Sequence, residues 1–574
     1  MFQIKGFAMT SPKTNHLTGA EAMVGMLQAH DVKHMFGLCG DTTLPFYDAM
    51  ARMDHGITHF LTRDERHAGY MADAYARVTG KPGVCEGPSG GGATYILPGV
   101  VEANESSVPI LAITSDVATS SLGRYPLTEL DQKALFAPLT KWNTSLDDAA
   151  RLPAAMRQAF RAMTTGRPGA VHLALPIDTQ KGAVSDSEIW ADTRHQNYPA
   201  ERAAPDPADI RAAVDVLSQA QAAVAICGGG PVLSGAETAL AQLATALDLP
   251  IATSVSGQGA LAETHPQAVG VVGSNGGVVS TRDVVEEADV ILFIGCRAGS
   301  VTTERWRSPN TSKRIIHIDS DPMVIGANYS TEVAICADAN LALQALVAEI
   351  ATRSDMPTQN GAGRAAAAWQ AKLADFAPLA ASQDQPIRPE AVMAALSDCL
   401  DDDAIIVADP GTPCPYFSAH YRWRKPGRQF ITNRAHGALG YSLAASMGAH
   451  VGRPDVKTLA VMGDGSFGFC CGEFETLARY NIPITAIVFS NASFGWIKAG
   501  QNAGFDKRFY NVDFNRTDHA AVARAFGVKA WTVKDPAQLV PVLREAIAHD
   551  GPTLVDVIAQ PLHKAAAPVS EWIA

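Results

Sequence analysis

The chain reads as an α/β protein built from three doubly wound parallel-sheet domains, and three observations predict this. Short apolar runs rich in β-branched residues alternate with helical patterns along the whole length, the mark of repeated βα units. Most of those runs, among them "GVCEGPS", "VPILAITSD", "AAVAICGGG", "DVILFIGCR", "RIIHIDSD", "AIIVADPG", "TLAVMGDGS", "ITAIVFSN" and "TLVDVIAQ", end in Gly, Ser, Asp or Asn. Turn and ligand chemistry therefore gathers at the C-terminal ends of the strands. Finally, 574 residues are too many for a single hydrophobic core.

Two stretches read as connectors. One is the polar, Pro-containing "SDSEIWADTRHQNYPAERAAPDPAD" at 185–209; the other is a longer Ala/Gly/Pro-rich crossing over 354–391. They divide the chain into 1–190, 200–350 and 388–574, each the size of one α/β domain. The first and third parts both carry strand-to-glycine turns, yet no sequence repeat at a fixed period relates them. The opening "MFQIKGFAMTSPKTNH" lacks an apolar core and a small-residue cleavage site, so it does not read as a signal peptide. Residues 1–8 are compatible with an added leader before Met9.

Apolar residues make up 47% and charged residues 18%, as in ordinary globular proteins. A net charge of −12 argues against nucleic acid or an anionic membrane as the main partner. No apolar run reaches transmembrane length. The nine cysteines are scattered without C-x-x-C spacing, and Cys470 and Cys471 are adjacent, which suits neither a disulfide framework nor a zinc site. Free thiols in a reducing compartment, the cytoplasm, are expected.

The chemistry concentrates in "VMGDGSFGFCCGEFETLARYNIPITAIVFSNASFGW", Val461 to Trp496. Two apolar runs flank an amphipathic segment; the first ends at Gly463-Asp464-Gly465 and the second at Asn491. Two parallel strands joined by a helix place both C-terminal ends on one sheet edge, so Asp464 and Asn491 meet there. A carboxylate, an amide oxygen and a nearby carbonyl are hard ligands suited to Mg²⁺ or Ca²⁺. Magnesium held by so few protein groups completes its shell with water and phosphate oxygens, and the glycines around Asp464 allow close approach of a phosphate. The expected site is a metal–diphosphate anchor.

This G-D-G with Asn some 25 residues on resembles the thiamine diphosphate motif. The likeness extends over nearly the whole chain, to the superfamily of acetohydroxyacid synthase, pyruvate oxidase and pyruvate decarboxylase. "RDERHAGYMADAYARVTGKPGVCEGPSGGGATYILPGVVEANESSVPILAIT" resembles the pyrimidine-binding domain, "AVAICGGGPVLSGAETALAQLATALDLPIATSVSGQGALAETHP" and "RIIHIDSDPMVIGAN" the central domain, and "AHGALGYSLAASMGA" the diphosphate-binding domain. The resemblance implies that Asp464, Asn491 and the carbonyl of Ser493 bind Mg²⁺. Glu65 matches the glutamate that bonds N1′ of the aminopyrimidine; burial would let its carboxyl hold a proton and share it with the cofactor, activating the thiazolium carbon. Leu439 matches the bulky residue that bends the cofactor, and the Gly437 carbonyl is expected to accept from its amino group. Gly465, Ser466, Phe494, Gly495 and Trp496 are expected around the diphosphate.

The substrate-facing positions fit no single member. Gly40-Asp41 stands where acetohydroxyacid synthases show Gly-Gly and pyruvate decarboxylases Gly-Asp, so Asp41 resembles a proton-handling acid, or else caps the following helix. The decarboxylase histidine pair is missing, and Ile497 stands where those enzymes use glutamate. Leu127-Thr128 replaces a Phe-Gln of acetohydroxyacid synthases, Gly500 takes the place of their substrate-selecting tryptophan, and Trp496 replaces a nearby methionine. His436 and His67 are possible proton shuttles, with packing or capping as the alternative. Arg297, Asp319 and Asp338 lie where relatives contact FAD or ADP, although "GSNGG" departs from the usual flavin loop.

The leading expectation is thiamine diphosphate- and Mg²⁺-dependent cleavage and formation of a C–C bond next to a carbonyl, an acetolactate synthase-like carboligation from a 2-oxo acid donor. Simple decarboxylation, flavin-dependent oxidation and a non-catalytic cofactor-binding homologue are the alternatives. Glu65 and Asp464 lie in different domains, and the resemblance implies that one cofactor joins them across a homodimer, paired into a homotetramer.

Overall fold

The computed structural model describes residues 16–354 and 356–572; the leader reading of residues 1–8 lies outside them. The first sheet contains β1 (His34–Gly37), β2 (Thr58–Leu61), β3 (Gly83–Gly87), β4 (Ile110–Asp116), β5 (Trp142–Ser145) and β6 (Val171–Pro176). They lie in the order β2-β1-β3-β4-β6-β5, all parallel. A short antiparallel ribbon, His16–Thr18 with Ala183–Ser185, ties the two ends of this domain together.

The central sheet contains β7 (Ala223–Cys227), β8 (Ile251–Thr253), β9 (Ala268–Val271), β10 (Val290–Ile294), β11 (Arg314–Asp319) and β12 (Val333–Cys336). Its order, β9-β8-β7-β10-β11-β12, is that of a dinucleotide-binding fold, with the switch point between β7 and β10. The third sheet contains β13 (Ile405–Ala408), β14 (Phe430–Thr432), β15 (Thr458–Gly463), β16 (Thr485–Ser490), β17 (Lys529–Val533) and β18 (Thr553–Ile558). Its order, β14-β13-β15-β16-β18-β17, repeats that of the first sheet. The two domains thus share a topology that no sequence repeat reveals.

All nine apolar runs quoted above are strands. They read as continuous apolar stretches because helices cover both sheet faces: every residue of β4, β10, β16 and β18 is buried. The nine cysteines are all free. Among the described residues no helix is long and apolar enough to cross a membrane.

The connector after the central domain is more ordered than its Gly and Pro content suggests. Within it a 20-residue helix runs over Gly361–Ala380, in keeping with the high helix propensity of its alanines. Trp369 on this helix donates to the Ala268 carbonyl (2.8 Å).

The first and third domains pack through two helices, α1 (Glu65–Thr79) and α2 (Tyr441–Gly452). A Cβ placed on Gly448 of α2 would lie 2.0 Å from the carbonyl oxygen of Met71, so the helices meet backbone to backbone. Beside that contact Tyr441 Oη donates to Asp73. Asp73 also accepts from Arg77 (2.9 Å), which reaches Glu102 (3.2 Å), and all three charged side chains are buried. Glu102 in turn accepts from the backbone N–H of His436 (2.7 Å). Burial opposes the charge of Arg77, but the neighbouring Asp73, Tyr441 and Glu102 outweigh it and keep the guanidinium protonated.

Gly448→Val is expected to force α1 and α2 apart, because backbone at 2.0 Å cannot yield as a side-chain tip can. A lowered melting temperature and a larger radius of gyration in small-angle scattering are the expected outcome. An unchanged radius and melting temperature would refute the close packing.

Candidate active site

The unit β15–helix–β16 delivers the two residues singled out by the sequence. β15 and β16 are parallel neighbours, with Gly463 opposite Phe489, so Asp464 and Asn491 emerge at the same edge. Asp464 opens a short helix, Asp464–Cys470, and is 5% exposed. Its Oδ2 accepts from the backbone N–H groups of Asn491 (2.6 Å) and Ala492 (2.5 Å), and its Oδ1 from that of Gly465 (2.9 Å). Burial pushes this carboxyl above the usual range, against the pull of those N–H groups.

This carboxylate holds a turn that would otherwise be unfavourable. Ala492 has φ of 58°, a left-handed conformation that costs roughly 1–2 kcal/mol for an L-residue. The turn brings Ser493 back onto Asn491, whose Oδ1 accepts from Ser493 Oγ (2.9 Å). Asp464 Oδ1 and Asn491 Oδ1 each keep acceptor capacity after these bonds. No cluster of three or more His, Cys, Asp or Glu suited to a metal occurs among the described residues. The donor set here is instead one carboxylate plus neutral oxygens, which suits a hard cation sharing its shell with phosphate.

A cavity of about 430 Å³ opens over this turn. Asp464, Gly465, Ser466, Ser493, Phe494, Gly495 and Trp496 line one side, and His436, Gly437 and Leu439 another. Gly465 is required by contact: a Cβ there would lie 2.8 Å from the Phe494 ring. Asn491 supports the wall from behind through its bonds to Asp464 and Ser493. The loop carrying His436 to Leu439 turns at two positive-φ glycines, Gly437 (75°) and Gly440 (83°). It is pinned by Asn433, which donates to the Ala438 carbonyl, and by Glu102 at His436 N–H.

Beyond the residues that the sequence pattern singles out, Arg434, Glu571 and Trp572 line the cavity, and Asp409 adjoins it at Pro410. Asp409, fully buried at the end of β13, accepts from Ser442 Oγ (2.6 Å) and Tyr441 N–H (3.0 Å) and so seats the start of α2 behind this loop. The signal was present in "AIIVADPG", an acid ending a buried strand. Arg434 enters the lining, donating to the Pro410 carbonyl (3.2 Å) and to Asn275 of the central domain. Glu571 and Trp572 reach the cavity from the far end of the chain, a juxtaposition no local pattern signals.

Glu65 and Asp41 lie outside this cavity, on the first domain. Glu65 opens α1, is 6% exposed and is wedged against two glycines; a Cβ on Gly92 would stand 3.0 Å from its Oε1. Burial raises its carboxyl above the ordinary range, and the charges of Asp64 and Glu86 add to this. Pro88 packs where Cβ atoms of both Gly40 and Gly92 would fall, so Asp41 stands on the same rim as Glu65. Asp41 is exposed, and its Oδ1 accepts from Thr42 N–H (2.9 Å). It does not cap the helix Leu44–Arg52, whose N-cap is Thr43 with no side-chain bond. His67 is buried against Glu473 (2.9 Å), a packing role.

The positions expected to meet a nucleotide in the central domain are committed elsewhere. Asp338 caps the helix Ala339–Ile350 through Asn340 and Leu341 N–H and pairs with Arg202 (3.4 Å). Arg297 donates to the Glu105 carbonyl of the first domain, and Asp319 accepts from Asp321 N–H (2.9 Å). At the switch point a Cβ on Gly228 would lie 2.1 Å from Gly295 O, so these glycines let two loops touch.

Asp409 yields a pH signature. Burial raises its carboxyl from 3.8 to about 6. Stability from the neutral form is therefore complete below pH 4 and is lost as the pH rises through 6. Asp409→Asn keeps the shape without the charge. Its stability relative to wild type should therefore shift in its favour by on the order of 2–3 kcal/mol between pH 4 and pH 7. A melting-temperature difference that does not grow with pH would contradict this.

Comparison with known proteins agrees with the geometry. Three family models match: the N-terminal TPP binding domain of thiamine pyrophosphate enzymes over residues 17–135, their central domain over 210–346, and their C-terminal TPP binding domain over 410–557. The chain is 33% identical over 564 residues to a probable acetolactate synthase large subunit of Methanococcus aeolicus, covering 95% of this chain and 92% of that one. It is 31% identical to an acetolactate synthase large subunit of Parasynechococcus marenigrum (96% and 89% covered). To the acetolactate synthase isozyme 1 large subunit of Escherichia coli it is 30% identical (96% and 95% covered).

Proposed function

We propose, from the premise that the chain belongs to the thiamine pyrophosphate enzyme family, that it is an acetolactate synthase-like carboligase taking a 2-oxo acid donor. The observation that carries the reading is the clamp of Asp464 on the Asn491–Ser493 turn at the floor of the cavity. When bound, thiamine diphosphate supplies a carbon nucleophile for the donor's carbonyl and holds the electron pair released as CO₂ leaves.

The residues of the chain divide the remaining work. Asp464, Asn491 and the Ser493 carbonyl would hold Mg²⁺, which would neutralise the diphosphate. Gly465 and Ser466 admit the diphosphate to the turn. Leu439 would hold a bound cofactor bent, and the Gly437 carbonyl would accept from its amino group. Glu65, its carboxyl raised by burial, holds a proton for N1′ of the pyrimidine. Asp41 and His436 are the groups assigned to move protons at the substrate.

Glu65 and the cavity come from different copies in this reading. Supporting it, the first-domain rim exposes Tyr125 (96%) and Leu127 (85%), while the cavity side exposes Ile497 (56%) and Tyr510 (81%). These side chains would be covered in such an assembly. The proposed unit is a homodimer with shared sites, paired into a homotetramer in the cytoplasm.

The direct test is a panel of 2-oxo acids, with and without a second 2-oxo acid or an aldehyde as acceptor, followed for CO₂ and coupled product. Coupled product at the expense of free aldehyde is expected. CO₂ with simple aldehyde only would replace carboligation by decarboxylation. Asp464→Ala should abolish Mg²⁺-dependent binding of thiamine diphosphate in calorimetry, and unchanged affinity would reject the anchor.

Subunit mixing tests the shared site. Glu65→Gln and Asp464→Ala proteins are each expected to be inactive, and to regain activity on subunit exchange because one hybrid interface is intact. No recovery despite proven exchange would place the whole site in one chain.

A further inference from the structure

After the short helix Leu562–Lys564 the chain leaves the third domain and crosses to the central one. Pro568 O accepts from Gly276 N–H (2.9 Å), Val569 forms an antiparallel bridge with Asn275, and Ser570 N–H donates to Ser274 O (3.1 Å). Three successive residues are thus paired with one central-domain loop. Glu571 then forms ion pairs with Arg307 and with Arg305 (3.8 Å). These bonds fix where the next residue, Trp572, must fall.

Trp572 falls on the cavity. Its ring packs against that of Trp496, with centroids 5.0 Å apart and planes tilted by 56°. Both indoles line the cavity, together with Ile497. The strap runs directly over the helix Gly495–Gly504. A Cβ on the buried Gly500 would lie 3.4 Å from Trp572 O and 4.0 Å from its Cβ, so a larger side chain there would strike the strap. Two rigid indoles pressed together make a wall of fixed position, and a wall of this kind discriminates by volume.

We propose that Pro568–Trp572 is a strap closing one side of the active-site cavity, and that Trp572 at its end sets the size of the carbonyl substrate admitted. The inference rests on the carboligase reading for what is admitted, and on the strap's own contacts for the wall. Trp572 is a specificity-determining residue of the cavity; Glu571 positions it.

The test compares kcat/KM of the holoenzyme for pyruvate, 2-oxobutanoate and phenylpyruvate. Trp572→Ala should raise the ratio for phenylpyruvate over pyruvate about tenfold, while Trp572→Phe stays near wild type. Gly500→Leu, which displaces the strap without altering its sequence, should raise the same ratio, and this keeps the test open if Trp572→Ala folds poorly. An unchanged ratio in both variants overturns the proposal. So does an equal loss for all three acids with a lowered melting temperature, since that is a purely structural strap. If the wild type turns over none of the acids, the carboligase reading fails separately. The strap is then judged by calorimetry of phenylpyruvate binding: tighter binding to Trp572→Ala supports the wall, and equal binding removes it.

Discussion

The arrangement depends on a buried charge network between two domains. Asp73, Arg77 and Glu102 sit in the first domain, and the Tyr441 hydroxyl and His436 N–H of the third close the network. Three charges out of water are costly, and such a group stands only when its bonds are complete. Removing one partner typically costs about 3–5 kcal/mol because the others are left buried and unpaired. The network therefore holds the two domains in one relation. It also reaches the loop that carries Gly437 and Leu439, so the wall facing the cofactor is set by residues of another domain.

The floor of the cavity follows a second constraint of the same kind. One carboxylate, Asp464, takes three backbone N–H groups and holds Ala492 in a conformation it would not adopt alone. Residues with this task cannot be exchanged without moving the oxygens they place. The remaining walls come from elsewhere: Ser274, Asn275 and Arg305 from the central domain, and Glu571 and Trp572 from the end of the chain. A turn held rigid by Asp464 is thus combined with walls drawn from two other parts of the chain. That division allows one fold to keep its cofactor while changing its substrate.

Much of this was legible in the residues. The nine quoted strands were visible because burial on both faces leaves no polar alternation to confuse the pattern, and the meeting of Asp464 with Asn491 follows from the geometry of any parallel βαβ unit. In the Ala-rich crossing Gly and Pro mask a helix, so the residues alone suggest a connector. Asp409 was passed over because an acid at a strand end is ordinary until its burial is known. Asp41 was weighed as a helix cap, and only the structure shows Thr43 in that place.

Fold class, cofactor class and the meeting of Asp464 with Asn491 are legible from the residues alone, because each rests on short-range order: strand ends, turns, and residues one crossover apart. The tertiary structure alone decided the shared topology of the first and third sheets, the interdomain network and the reach of Trp572 over Gly500. It also shows the protein contacts that Arg297, Asp319 and Asp338 make. The physical reason is one of distance along the chain. Local patterns encode hydrogen bonds and periodicity within a few tens of residues, whereas the interdomain network joins Tyr441 to Asp73 from 368 residues away, and such partners are chosen by packing.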